Sequence, residues 1–372
     1  MKTLVALGTR PEAVKLAPVV MALRDAGVET ELLFSRQHEA LAQSVFDIFR
    51  LVPEHVFTQP PSSFSLHDLA ASYLQQAGAV IARVRPDLVL VQGDTTTAFA
   101  CALAAYYLRV PVGHVEAGLR TGNPFSPYPE ENHRRMIAVL ADMHFAPSPS
   151  AVDALVTENI APESIAMTGN TVIDALRWIL DNVPDPFKGG HMLPTGDARP
   201  YILVTAHRRE NFDLMHQAYF RQLNMLAAAL PEMQVIFVTH PNPNVQRHAV
   251  RELTESNVFQ IPPLGYDHFV HLMRGAALIV TDSGGVQEES AFLGKPALLM
   301  RENTERKELQ EGGNLIVVGL DSERLLSEAK RLLSEPAYYQ QFSRVHTPYG
   351  MGDSAQRIVG HIEQWWRSRR KS

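Results

Sequence analysis

The chain has 372 residues, too many for one ordinary hydrophobic core and enough for two. It is 45% hydrophobic and 20% charged with a formal net charge of −6, a globular composition that carries no basic field for nucleic acid. No run approaches the roughly 20 apolar residues that cross a bilayer, and the single cysteine, Cys101, allows no internal disulfide, so a cytoplasmic protein is expected.

Short apolar runs of strand length alternate with longer segments of helical period, the pattern of a parallel α/β sheet. The N-terminal apolar run is too short for a signal peptide and reads as a first strand. The predicted strands of the first half are 3–7, 29–34, 88–91, 112–115, 144–146 and 165–167. Helices fall between them, such as 11–25, where Pro11 occupies the tolerated first turn. The stretch 181–200, with Pro184, Pro186, Pro194, Pro200, Gly189, Gly190 and Gly196, breaks the rhythm and reads as a linker. The alternation restarts with 201–205, 234–239, 258–261, 278–281, 297–300 and 315–318. A last helix, about 355–370, carries Ile358, Ile362, Trp365 and Trp366 as a packing stripe. The run Arg367, Arg369, Arg370 and Lys371 reads as a solvated tail. Two doubly wound domains are expected, 1–170 with 355–372 and 171–354, with ligands bound between them beyond the carboxyl ends of the strands.

Several chemistries lack their usual motif. No G-x-G-x-x-G follows a strand, no G-x-x-x-x-G-K-[ST] loop is present, no aspartates stand as D-x-D, and the 15 histidines form no metal-binding cluster. No cofactor and no metal are expected. A bound diphosphate would then be neutralised by cationic side chains and backbone N–H groups.

Four constellations carry chemistry. The first strand runs into Gly8-Thr9-Arg10-Pro11-Glu12 and then Lys15, a turn into a helix N-terminus flanked by cations, which is either an anion site or an ordinary βα turn. Strands 88–91 and 112–115 end at Asp94 and Glu116, and the proline-rich loop after them delivers Glu130 and Glu131 at a helix start. If the two strands are neighbours, Asp94 and Glu116 converge, and crowded carboxylates suit acid–base work; otherwise each caps a helix, as Asp94 could before its three threonines. The first strand of the second half ends in Thr205-Ala206-His207-Arg208-Arg209, where a histidine beside arginines suits a phosphate or leaving group. Strand 278–281 ends in Asp282-Ser283-Gly284-Gly285, a glycine turn opening a helix whose free N–H groups suit a diphosphate. Glu289 follows one turn in, where a carboxylate can accept ribose hydroxyls, while Glu288 points elsewhere.

Together these segments resemble the non-hydrolysing bacterial UDP-N-acetylglucosamine 2-epimerases. The matching stretches are G-T-R-P-E-A-V-K, Q-G-D-T-T-T, P-V-G-H-V-E-A-G-L-R-T, P-Y-P-E-E, T-G-N-T-V-I-D-A-L, T-A-H-R-R-E-N, T-D-S-G-G-V-Q-E-E and P-Y-G-M-G, in order from residue 8 to residue 352. The resemblance implies a GT-B-like fold: two Rossmann-like domains facing a cleft, with a C-terminal helix returning to the N-domain. It also implies a homodimer, a UDP-sugar substrate, and a cofactor-independent reaction through 2-acetamidoglucal that supplies cell-surface polysaccharide synthesis. Carried onto this chain, it makes Asp94, Glu116 and Glu130 catalytic, with His207 assisting at the diphosphate. Arg10 and Lys15 contact the substrate, Phe269 frames the uracil, Ser283, Gly284 and Gly285 hold the phosphates, Glu289 the ribose, and Arg306 the nucleotide. Leu264 departs from the polar residue that relatives often carry near the base.

Many bacterial members of the resembled family are activated by a second substrate molecule. Gln37, His38, Arg208 and His240 correspond to contacts of that effector, but Glu39 and the arginine-free helix around 66–73 depart from it. Weakened activation is expected. The rival readings are a GT-B glycosyltransferase, a hydrolysing epimerase, a related 2-epimerase of UDP-2,3-diacetamido uronic acids, and a non-catalytic UDP-sugar sensor.

Overall fold

Runs rich in valine and leucine that are buried on both faces build parallel strands, because helices must cover the sheet on each side. The computed structural model describes residues 1–37, 39–59, 64–188, 193–196, 199–205, 214–239, 243–302 and 304–370. The chain divides into two compact units, Met1–Arg177 with Tyr349–Ser372, and Trp178–Pro348.

The first unit runs β1 (Lys2–Leu7), α1 (Arg10–Asp25), β2 (Glu29–Phe34), α2 (Glu39–Phe49), β3 (His55–Val56), α3 (Leu66–Val84), β4 (Leu88–Gln92), α4 (Thr96–Tyr107) and β5 (Val112–Val115). It continues with α5 (Glu130–Leu140), β6 (Met143–Ala146), α6 (Pro149–Thr157), β7 (Ile165–Met167) and α7 (Thr171–Asn182). The parallel sheet has the order β3-β2-β1-β4-β5-β6-β7. The strand order therefore reverses between β1 and β4, the place where an open sheet leaves a crevice at its carboxyl end.

The division between units falls inside α7 and not in the proline- and glycine-rich stretch after it. Val172, Ile173, Leu176 and Ile179 keep one buried stripe along the helix, so helical packing carries through the crossing point.

The second unit runs β8 (Tyr201–Thr205), α8 (Leu214–Ala229), β9 (Gln234–Val238), α9 (Pro243–Glu252), β10 (Val258–Ile261), α10 (Tyr266–Gly275), β11 (Leu278–Thr281) and α11 (Gly284–Phe292). It closes with β12 (Ala297–Leu299), α12 (Lys307–Glu311), β13 (Leu315–Val317), α13 (Ser322–Ser334) and α14 (Pro336–Phe342). Its parallel sheet has the order β10-β9-β8-β11-β12-β13, with its own reversal between β8 and β11. The last helix, α15 (Ser354–Arg369), belongs to the first unit and packs on α1 through Ile358, Val359 and Ile362. Trp365 and Trp366 are half-buried, each under an arginine of the tail, Arg369 and Arg370 respectively. No described helix is long and apolar enough to cross a membrane.

Candidate active site

At the first unit's reversal, the turns after β1 and β4 are tied into one body. Thr9 caps α1 and forms a capping box with Glu12. The Glu12 carboxylate accepts from the Gly8 and Thr9 N–H groups (3.1 and 2.7 Å), from Thr9 Oγ1 (2.7 Å) and, across the reversal, from Thr95 Oγ1 (2.7 Å). Burial pushes its carboxyl up to about 6 despite these donors. Gly8 is required by the close approach of β2 and α4: a Cβ there would lie 2.1 Å from Ser35 Oγ and 2.3 Å from Thr97 Oγ1. Arg10 and Lys15 leave this turn on α1, Arg10 half-buried and Lys15 buried.

Asp94 follows Gly93, whose φ of +67° allows the sharp exit from β4. Thr95, not Asp94, caps α4, since its Oγ1 accepts from the Ala98 N–H at 3.0 Å. The Asp94 side chain is thereby left for other work. Its Oδ2 accepts from Nε of Arg134 at 3.0 Å and also from Nη2, while Nδ1 of His133 donates to its carbonyl at 2.9 Å. His114, in β5, donates from Nε2 to the Gly93 carbonyl at 2.7 Å; burial pushes its imidazole down to about 3, so it stays neutral.

Strands β4 and β5 are neighbours, which places Asp94 and Glu116 at adjacent carboxyl ends. Glu116 is buried and its backbone has φ 64°. Its Oε1 pairs with Lys15 Nζ (2.5 Å) and accepts from Asn170 Nδ2 (2.8 Å), while its Oε2 accepts from Gln92 Nε2. A Cβ on Gly93 would sit 3.6 Å from Glu116 Oε2, so the Asp94 turn runs directly past this carboxylate.

Glu130 and Glu131 open α5 with different environments. Glu131 is fully buried and accepts from the Thr121 and Gly122 N–H groups (both 3.1 Å) and from Arg134 Nη1 (3.3 Å), which fixes the loop. Glu130 is half-buried at the helix start, one turn before Arg134. Arg134 thus joins Asp94 to the glutamate-bearing helix.

In the second unit, Ser283 occupies the N-cap of α11, and its own side chain makes no capping hydrogen bond. Gly284 and Gly285 follow, half-buried, in the first turn of the helix, whose N–H groups have no intrahelical partner and suit an anion. Arg306 is buried, donates from Nε to Glu288 Oε1 (2.8 Å) and from Nη1 to Glu305 Oε2 (3.3 Å), and lies against Gly284. A Cβ on Gly284 would meet the guanidinium at 2.8 Å. Glu305, although buried, is held well below the usual carboxylate range by Arg306 and Arg301. Glu288 is therefore the partner of an arginine. Glu289 turns back over the first turn of α11: a Cβ on Gly285 would be 3.9 Å from its Oε2, and its Oε1 accepts from Tyr266 Oη at 2.7 Å. Phe269 lies one turn along α10 from Tyr266, and Leu264 just precedes that helix.

His207, Arg208, His38 and His240 lie outside the described residues. Gln37 is described, and its Oε1 accepts from Thr97 Oγ1 at 3.3 Å. The residues that sequence reasoning missed are Gln92, Arg134, Asn170 and Tyr266, each a donor to a carboxylate that it had singled out.

Residues 21–363 match the sequence profile of the family described as UDP-N-acetylglucosamine 2-epimerase. The chain belongs to the UDP-N-acetylglucosamine 2-epimerase family. The UDP-N-acetylglucosamine 2-epimerase of Salmonella typhimurium is 43% identical over 98% of this chain and 99% of that protein. The crystal structure of UDP-GlcNAc 2-epimerase from Neisseria meningitidis bound to UDP-GlcNAc superposes with a TM-score of 0.92 at 35% identity, covering 98% of this chain and all of that one. The S. aureus MnaA structure with UDP does so with a TM-score of 0.92 at 37% identity, covering 99% and 97%. The fold is thus the GT-B-like, two-domain α/β fold of the 2-epimerases.

Proposed function

We infer that this chain reversibly epimerises UDP-N-acetylglucosamine to UDP-N-acetylmannosamine without a cofactor. The hydrogen on carbon 2 of the sugar is hardly acidic, because no carbonyl is conjugated to it. Breaking the anomeric C–O bond first or concurrently puts positive charge on carbon 1 and acidifies its neighbour. One carboxylate takes the proton, the C–H electron pair becomes the C1–C2 double bond, and UDP leaves with the anomeric oxygen. Re-addition of UDP to carbon 1, with a proton delivered to the opposite face of carbon 2, yields the manno sugar.

The observation that carries this reading is the pair of carboxylates at the ends of β4 and β5, each in contact with a cation: Asp94 with Arg134 and Glu116 with Lys15. Glu130, at the start of α5, completes the acidic set. Arg10 and Lys15 would serve the substrate from the same unit. The N-terminus of α11, with Ser283, Gly284, Gly285 and Arg306, suits the phosphates, Glu289 the ribose hydroxyls and Phe269 the uracil. His207 would assist the leaving diphosphate. Family membership supports a homodimer acting in the cytoplasm and feeding cell-surface polysaccharide synthesis.

Incubation with UDP-N-acetylglucosamine in deuterated water, followed by proton NMR, tests the reaction: deuterium should enter carbon 2 as the manno sugar appears, with and without EDTA. Asp94→Asn, Glu116→Gln and Glu130→Gln should each lower turnover by about 10²-fold or more, the usual scale of lost acid–base catalysis, with UDP binding largely kept. Near-normal rates in all three would make the acidic cluster structural. Sugar transfer to an acceptor without exchange at carbon 2 would instead mark a glycosyltransferase.

A further inference from the structure

The carboxylate of Glu116 is held by more than the lysine that neutralises it. Gln92, the last residue of β4, gives an amide N–H to Oε2, and Asn170, in the turn between β7 and α7, gives one to Oε1 at 2.8 Å. Both amides are sealed from solvent, 3% and 1% exposed. The orientation of the Asn170 amide is set by its surroundings: its Oδ1 accepts from the Val172 N–H at 3.2 Å, which turns the NH₂ group onto Glu116. Its backbone N–H donates to the Tyr349 carbonyl at 2.7 Å, so the returning C-terminal segment fixes the turn. Gly169, with φ +88°, allows that approach, since a Cβ there would lie 2.7 Å from the same carbonyl. Glu116 itself leaves the backbone at φ 64°, a region that non-glycine residues seldom occupy and that surrounding contacts must enforce.

We propose that Gln92 and Asn170 are positioning residues for the epimerisation, holding Glu116 ionised and aimed as a carboxylate that exchanges a proton with the sugar. The inference rests on the catalytic reading of Glu116 given above. An ammonium is a point charge that neutralises without fixing direction, whereas an amide N–H bond is directional. One amide on each oxygen therefore sets the carboxylate plane. Neither amide titrates, so the arrangement persists across the working pH range and does not depend on Lys15 staying in place.

The test is steady-state kinetics against pH for Gln92→Ala, Asn170→Ala and the nearly isosteric Asn170→Asp, with circular dichroism and UDP affinity as controls. Removing a donor from a carboxylate favours its protonated form, so the acidic limb of kcat should move to higher pH by about half a unit or more, with kcat about tenfold lower and UDP affinity nearly unchanged. Asn170→Asp should move the limb furthest, because it sets a second carboxylate against Oε1. In a Glu116→Gln background, Asn170→Ala should change the residual rate by less than about twofold. An equal loss in both backgrounds would show that Asn170 acts through the fold and would overturn the inference. So would a crippled Glu116→Gln alongside Gln92→Ala and Asn170→Ala variants with wild-type kcat and pH profile. A Glu116→Gln enzyme with wild-type turnover would instead remove the catalytic reading itself, and the inference with it.

Discussion

At the scale of single residues, the acidic ends of β4 and β5 are legible in the sequence, because a carboxylate just past a strand of a parallel sheet stands where ligands bind. Their partners are not. Arg134 sits inside a helix, where an arginine is usually solvated; helical spacing alone puts it beside Glu131, but only the fold of the turn after β4 brings it to Asp94. Gln92 and Asn170 belong to the stretches Q-G-D-T-T-T and T-G-N-T, yet nothing in their spacing says that the chain between them folds to set both amides on one carboxylate. The sequence also leaves Asp94 open as a cap for α4, and it is Thr95 that takes that place. Arg134→Gln should expose the value of the pairing. It leaves Glu131 and Asp94 without a guanidinium that is itself nearly buried, so kcat should fall by roughly 10²-fold and the protein should lose about 3 kcal/mol or more of stability, as when one member of a buried pair is removed. Arg134→Lys keeps the charge but not the fork, and should recover only part of the rate. Turnover of Arg134→Gln equal to wild type would show that Asp94 needs no fixed partner.

At the scale of elements, the predicted strands agree with the observed ones to within a residue at each end. Strands buried on both faces are continuous apolar runs bounded by turn residues, so their limits are written locally. The exception is β3, His55–Val56, which is too short to show any period and exists only because β2 offers it an edge. The crossing between units inside α7 escapes a sequence reading too, since prolines and glycines mark irregular chain but do not say which unit owns it. The α11 turn shows how an element's end becomes a site. Two glycines open the helix, the Ser283 side chain does not cap it, and Arg306 lies against the first glycine while two glutamates pin it there. Gly284→Ala should favour the helix slightly by propensity, and the backbone at Gly284 is not in the left-handed region, so the main chain accepts it. Its Cβ would, however, push the guanidinium off the helix end. UDP affinity should then fall roughly tenfold or more, the scale of one charge-assisted contact, by calorimetric titration. Unchanged affinity would separate Arg306 from the phosphate site.

At the scale of the whole molecule, each unit carries its own sheet and its own reversal point, and the chain leaves the first unit by α7 and returns to it by α15. Asp174 joins those two helices inside the first unit. Its Oδ1 accepts from the Ala355 N–H at 2.8 Å, at the start of α15, and the side chain is buried. Burial outweighs that hydrogen bond and pushes the carboxyl up from 3.8 to about 6. The folded state therefore keeps a proton on Asp174 between about pH 4 and 6 that the unfolded chain has released. Stability from this group is present below pH 4 and is lost as pH rises to 6, leaving a cost of up to about 3 kcal/mol at pH 8. Glu12, raised from 4.5 to about 6, works in the same direction, while Glu31, Glu158 and Asp185, whose values are lowered, work in the opposite one. A single stability curve would mix these contributions, but the difference between two proteins isolates one. Asp174→Asn keeps an acceptor for Ala355 and removes the charge, so its urea midpoint should exceed that of the wild type at pH 8. The gap should close as pH falls through 6 and vanish near 4. A constant offset from pH 4 to 8 would mean that Asp174 is not carrying a proton in the folded state, and that the tie between α7 and α15 holds a carboxylate at every pH.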